Sequence, residues 1–160
     1  MQRIVEEKQF SVVGIAVRTS NAMEAAGRGA ISQLWDRFFR EGILQKIPSR
    51  LDEFIYAVYS GYASDRNGDY DLLIGARVPE ASAVPPGMTV RSVPAGKYAV
   101  HTSPRGPVQK VVAEAWQAIW RLEDSSQLGG RRSYIADFEL YDPRNFDPQN
   151  CQIDLYIGIH

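Results

Sequence analysis

Three short stretches recur at an offset of about eighty residues and in the same order, and this constrains the 160-residue chain more than any other feature. Ile15-Ala16-Val17-Arg18-Thr19-Ser20 matches Tyr98-Ala99-Val100-His101-Thr102-Ser103 at four of six positions. Trp35 and Phe39 align with Trp116 and Trp120, and Asp71-Leu72-Leu73-Ile74-Gly75 aligns with Asp154-Leu155-Tyr156-Ile157-Gly158. One such match is expected by chance, whereas three in order read as a duplicated unit. The chain is accordingly read as one domain, residues 1–160, with half-repeats at about 8–79 and 88–160. The linker at 79–86 reads PEASAVPP, and proline there blocks both helix and ladder hydrogen bonds.

Hydrophobic patterning gives each half the order β-α-β-β. In the first half, residues 10–19 read as a strand, and Asn21 with Glu24 reads as a capping box opening a helix that runs to about Arg40. Ile31, Leu34, Trp35, Phe38 and Phe39 form its apolar face, and Gly42 stops it. Strands at 54–62 and 70–78 follow, joined by a turn whose Asn67-Gly68 favours positive φ. In the second half, extended segments at 88–93 and 97–102 flank a break at Pro94-Ala95-Gly96. A helix runs from Ser103 or Pro104 to about Leu122, with Val108, Val111, Val112, Ala115, Trp116 and Ile119 on its apolar face. After a loop holding Gly129-Gly130, strands at 132–141 and 151–159 close the chain. The expected fold is α+β: an antiparallel sheet, one helix per half, and a ligand cleft at the seam where neither half closes its own core.

Composition removes several function classes. A net charge of −1 supplies no field for direct nucleic-acid binding. The single cysteine, Cys151, forms no intrachain disulfide and fits a reducing cytosol. Residues 1–10 hold Arg3, Glu6, Glu7 and Lys8 and lack the apolar core of a signal peptide, and no apolar run reaches the length of a membrane span, so a cytoplasmic protein is expected. His101 and His160 have no metal-ligand spacing, so neither a metal site nor haem ligation is expected. Ser60 sits in no G-x-S-x-G motif, and Gly27 and Gly29 make no nucleotide fingerprint. Asp65-Arg66-Asn67-Gly68-Asp69 begins like a calcium loop but lacks the closing glutamate, so a plain turn is expected. Catalytic residues and cofactors are therefore not expected. The unusual component is aromatic: three Trp, eight Tyr and six Phe, enough to fill a core and also line a pocket.

Three segments carry a family resemblance: Val93-Pro94-Ala95-Gly96-Lys97-Tyr98-Ala99-Val100, Phe138-Glu139-Leu140-Tyr141-Asp142 and Asp154-Leu155-Tyr156-Ile157-Gly158-Ile159. Their order and spacing over nearly the whole chain resemble the GyrI-like small-molecule-binding domain, the effector-binding domain of AraC- and MerR-type multidrug-responsive transcription activators. The resemblance implies a duplicated β-α-β-β fold with the ligand between the halves. It also implies a buried glutamate on the penultimate strand that pairs with cationic, lipophilic drugs, at Glu139 here, and an aromatic on the final strand, at Tyr156. Members often carry proline where this chain has Gly158. No helix-turn-helix precedes the first strand, so the chain resembles the free-standing members.

Alternation along residues 134–141 puts Asp137, Glu139 and Tyr141 on one face and Ala136, Phe138 and Leu140 on the other. By itself this pattern suits a solvated strand face for Glu139, whereas the resemblance favours a pocket. Tyr156 and Tyr141 are its nearest aromatic candidates, with Tyr59 and Tyr62 as counterparts in the first half. Strand parity puts Tyr59 and Tyr62 on opposite faces. Trp35, Phe39 and Trp116 are candidates from the helices, where core packing is the simpler reading. Asp71 and Asp154 read as strand-edge carboxylates, with a second anion near the ligand as the sharper alternative. A carboxylate buried among rings loses hydration, and an arriving organic cation replaces it. Their attraction is stronger at low dielectric, and each ring face adds about 0.5–2 kcal/mol of cation–π attraction.

The expected function is non-catalytic binding of a cationic lipophilic or aromatic small molecule. Two alternatives come with the resemblance: a hydrolase using Glu139 as general base with a tyrosine as proton donor, and a module that inhibits a protein such as a topoisomerase. The residues do not choose between a homodimer and a separate regulatory partner.

Overall fold

The computed structural model describes residues 3–160. In chain order its elements are β1 (Arg3–Glu7), β2 (Phe10–Ser20), α1 (Asn21–Ala25), α2 (Ile31–Arg40), α3 (Ile43–Lys46), β3 (Ile55–Ser60), β4 (Asp69–Val78), β5 (Thr89–Val93), β6 (Gly96–Thr102), α4 (Val108–Asp124), β7 (Arg132–Tyr141) and β8 (Asp154–Ile159), with a 3-10 turn at Pro143–Asn145. The eight strands form one antiparallel sheet ordered β1-β6-β8-β7-β3-β4-β2-β5. This is the α+β architecture expected of the duplication. Outward from the centre, one side reads β3-β4-β2-β5 and the other β7-β8-β6-β1, so equivalent strands hold equivalent places.

The halves meet by pairing β3 with β7, where Ala57 faces Glu139 and Tyr59 faces Asp137. They also exchange edge strands. β1 precedes β2 in the chain but pairs with β6, and β5 precedes β6 but pairs with β2. Only Lys8 and Gln9 join β1 to β2, although five strands separate them in the sheet order, so the sheet must curl until its edges approach. Phe10 records that curl. Its strand is three places from β7, about 14 Å in a flat sheet, yet its ring lies 5.3 Å from that of Phe138. The inner face is filled by Phe10, Val12, Tyr56, Val58, Tyr98 and Phe138. The outer face carries α2 and α4, which seat Leu34, Phe38, Val111, Ala115 and Ile119 against the sheet.

Several local expectations are corrected. The helix expected from Asn21 to Arg40 is broken after Ala25, with Gly27 at φ 73°. Its cap is Ser20, whose Oγ accepts the Met23 N–H at 3.1 Å, and not Asn21. Glu24, expected to complete a capping box, instead spans the break: its Oε2 accepts from the Thr19 hydroxyl at 2.6 Å and the Ala30 N–H at 2.9 Å. The Asn67-Gly68 turn uses no positive φ and is held by the Asp65 side chain, which accepts the Asn67 N–H. Ser103 does not open the second helix. Its hydroxyl accepts the Ile153 N–H, and Gly106 bridges Cys151, so α4 begins only at Val108 and β8 only at Asp154. β1 was not foreseen.

Candidate functional site

A cavity of about 850 Å³ lies over the β3–β7 seam, between α2 and α4. Both helices reach it by the same device. On each, one i, i+4 row of side chains docks on the sheet while the neighbouring row faces the cavity. On α2 the docking row is Leu34 and Phe38, and Ile31, Trp35 and Phe39 line the cavity. On α4 the docking row is Val111, Ala115 and Ile119, and Val108, Val112, Trp116 and Trp120 line it. The floor is Ile55, Tyr59, Glu139 and Tyr141, which alternation places on the helix-bearing face of β3 and β7.

Glu139 lies at the centre of that floor and is 1% exposed. Its Oε2 accepts the Tyr59 hydroxyl at 2.8 Å and the Trp116 indole N–H at 2.6 Å, and its Oε1 accepts the Tyr141 hydroxyl at 2.7 Å. The three donors come from a strand of the first half, from α4, and from Glu139's own strand. Among the described residues no lysine, arginine or histidine pairs with it. Burial pushes its carboxyl above the ordinary glutamate range, and the three hydrogen bonds pull only part of the way back. Burial, reinforced by the glutamate, holds Tyr59 and Tyr141 well above the ordinary phenol range, so they remain donors.

A second buried carboxylate shows the opposite arrangement. Asp137, fully buried two residues earlier, pairs with Arg132 at 2.6 Å and accepts the Tyr62 hydroxyl and the Gly158 N–H. Proline at position 158 would remove that last donor, which gives the glycine here a structural reason. Burial alone would lower the Arg132 pKa, but Asp137 holds it raised. The guanidinium lies 4.1 Å from the centroid of the Tyr134 ring. The protein thus neutralises Asp137 from within and leaves Glu139 with neutral donors alone.

The cavity brings together Glu139, Tyr141, Tyr59, Tyr62, Trp35, Phe39 and Trp116. Tyr59 and Tyr62 share it despite their parity because β3 ends at Ser60 and Gly61, at φ 62°, rotates the chain before Tyr62. Trp35 meets Tyr141 edge-on at 5.0 Å, and Tyr59 meets Trp116 at 5.0 Å. Tyr156 is not on the cavity. β7–β8 pairing sets it opposite Phe138 on the inner face, where the two rings stack at 4.4 Å. Asp71 and Asp154 are likewise away from the cavity, bonded to Arg18 and Thr102. Sequence reasoning missed Tyr70, Arg66 and Glu24, which line one end, and Phe146, which lines the other. The Val108, Val112, Trp116, Trp120 row was legible as a second stripe on α4. Of the three at the other end, Arg66 is in the β3–β4 turn, Tyr70 near the start of β4 and Glu24 on the short α1, and their meeting is a tertiary contact that periodicity does not reach.

Among the described residues no cluster of histidine, cysteine and acidic side chains is arranged to hold a metal, and no helix is long and apolar enough to cross a membrane.

Comparison with known proteins places the chain's fold and family. The protein YobU of Bacillus subtilis is 33% identical over 153 residues, 95% of this chain and 92% of its own length. The transcriptional regulator BrlR of Pseudomonas aeruginosa is 38% identical over 161 residues, 99% of this chain but 55% of BrlR. The structure of SAV2435 bound to tetraphenylphosphonium superposes with a TM-score of 0.76 at 18% identity, covering 100% of this chain and 94% of that one, which shows the shared fold. The model of the integron-associated effector binding protein family, Cass2, matches residues 3–159, and the chain belongs to that family.

Proposed function

We propose that the cavity binds an organic, lipophilic cation without chemical turnover, with Glu139 as its counter-ion. The observation that carries this is a carboxylate 1% exposed, on the floor of an aromatic cavity, held by three neutral donors and no cation. Such a group keeps an unmet electrostatic demand, and a cation over the floor meets it at low dielectric. Tyr59, Tyr141, Trp35 and Trp116 offer ring faces and edges around that point. The tetraphenylphosphonium bound to SAV2435 is itself a lipophilic cation, which supports the sign of the charge. Burial raises the Glu139 carboxyl as a general base would need, but three donors already engage both of its oxygens, which argues against a water held there for hydrolysis. In a member of an effector-binding family, occupancy of this cavity is the signal that a regulatory partner would read.

Titration of tetraphenylphosphonium or a rhodamine, followed by tryptophan quenching, tests the assignment. Glu139→Gln keeps the shape and removes the charge, and it is expected to weaken binding by about 10–100-fold, equivalent to about 1.4–3 kcal/mol. Unchanged affinity removes the electrostatic mechanism.

A further inference from the structure

Four charged side chains line the cavity: Glu24, Arg66, Arg132 and Glu139. Both guanidiniums are neutralised by acids that do not line it. Arg66 forks onto Asp124 at 2.9 and 3.1 Å and reaches Glu123, and Arg132 pairs with Asp137. Among the described residues neither lining carboxylate has a cationic partner. Glu24 is held only by the Thr19 hydroxyl and the Ala30 N–H, both on Oε2. Those two bonds set the carboxylate over Gly29, where a β-carbon would fall 1.7 Å from Oε2.

A continuous aromatic path connects the two acids. Glu139 accepts from Tyr59, whose ring lies 5.5 Å from Tyr70. The Tyr70 hydroxyl bonds Asn21 on α1, the helix that carries Glu24. Tyr70, between them, is pushed above the ordinary phenol range by burial first and then by the charges of both glutamates.

We infer that the cavity is built for an elongated dication, with one positive centre at Glu139 and the second at Glu24, and an aromatic body lying along Tyr59 and Tyr70. This rests on the cation-binding reading above and adds the second anchor. Ethidium and propidium test it, since they share one phenanthridinium and propidium adds a quaternary ammonium on a short arm. In fluorescence titrations at low ionic strength, propidium is expected to bind at least about fivefold more tightly than ethidium, the scale of a partly exposed ion pair. Glu24→Gln keeps an acceptor for Thr19 and Ala30. It is expected to erase that advantage while leaving ethidium within about twofold, so ethidium also reports that the cavity is intact. Glu139→Gln is expected to weaken both dyes.

Equal affinity of the two dyes for the unaltered protein overturns the inference, as does a Glu24→Gln loss shared equally by both. If ethidium binding depends on Glu139 while propidium ignores Glu24, the second anchor falls and the cation site stands. If neither dye binds, both fall.

Discussion

Glu139 and Asp137 sit two residues apart on one strand face, both buried, and the protein treats them oppositely. Asp137→Asn leaves the buried Arg132 charge only the longer Glu123 contact at 3.7 Å, and denaturant unfolding is expected to show a loss of about 3–5 kcal/mol. Glu139 carries the reverse sign. Its folded-state pKa is raised, so the folded protein holds a proton that the unfolded chain has released, and stability falls as pH rises from the ordinary glutamate range through the raised value. Glu139→Gln is expected to flatten that part of the stability–pH profile, measured as melting temperature across weakly acidic to neutral pH. Cation binding needs the ionised form, so affinity is expected to strengthen over the same range. The alternation of residues 134–141 showed which side chains share the Glu139 face, but not that this face is covered. Tyr156 was misplaced because nearness to Glu139 in the terminal hairpin does not say which face it takes, and its pairing with Phe138 puts it on the other one. Arg132 and Asp137 stayed unseen because charges on a buried strand look, in sequence, like charges on a wet one.

The elements that shape the cavity were legible in proportion to how local their causes are. The Trp35, Phe39 and Val108, Val112, Trp116 rows follow from 3.6-residue periodicity. The break between α1 and α2 is marked by Gly27 and Gly29, which were expected to lie inside one continuous helix. Glu24 is the staple across that break. Gly29→Ala forces its carboxylate off Thr19 and Ala30, and thermal unfolding is expected to show a loss of about 1–2 kcal/mol, the scale of the hydrogen bonds removed. β1 escaped notice because its five residues owe their strand state to β6, about ninety residues away. Short alternation with an exposed Ile4 gives no local sign of that partner.

For the whole molecule, the duplication predicted equivalent halves meeting at a seam, and the sheet order has that symmetry about β3 and β7. What the repeat did not disclose is the trading of edge strands, because like segments do not reveal which neighbour each one chooses. The exchange means that residues 3–78 and 89–160 hold one another at three places: β1 with β6, β2 with β5, and β3 with β7. The 79–88 connection contributes no strand to the sheet. Nicking or splitting the chain there is therefore expected to give two fragments that, mixed together, reassemble and elute as a single 1:1 complex. A cation seated across both pieces would tighten their union by mass action. Each fragment alone would be an unfinished fold with a raw β-edge, so the same clasp that makes the chain one body would turn its severed halves into a ligand-dependent split sensor.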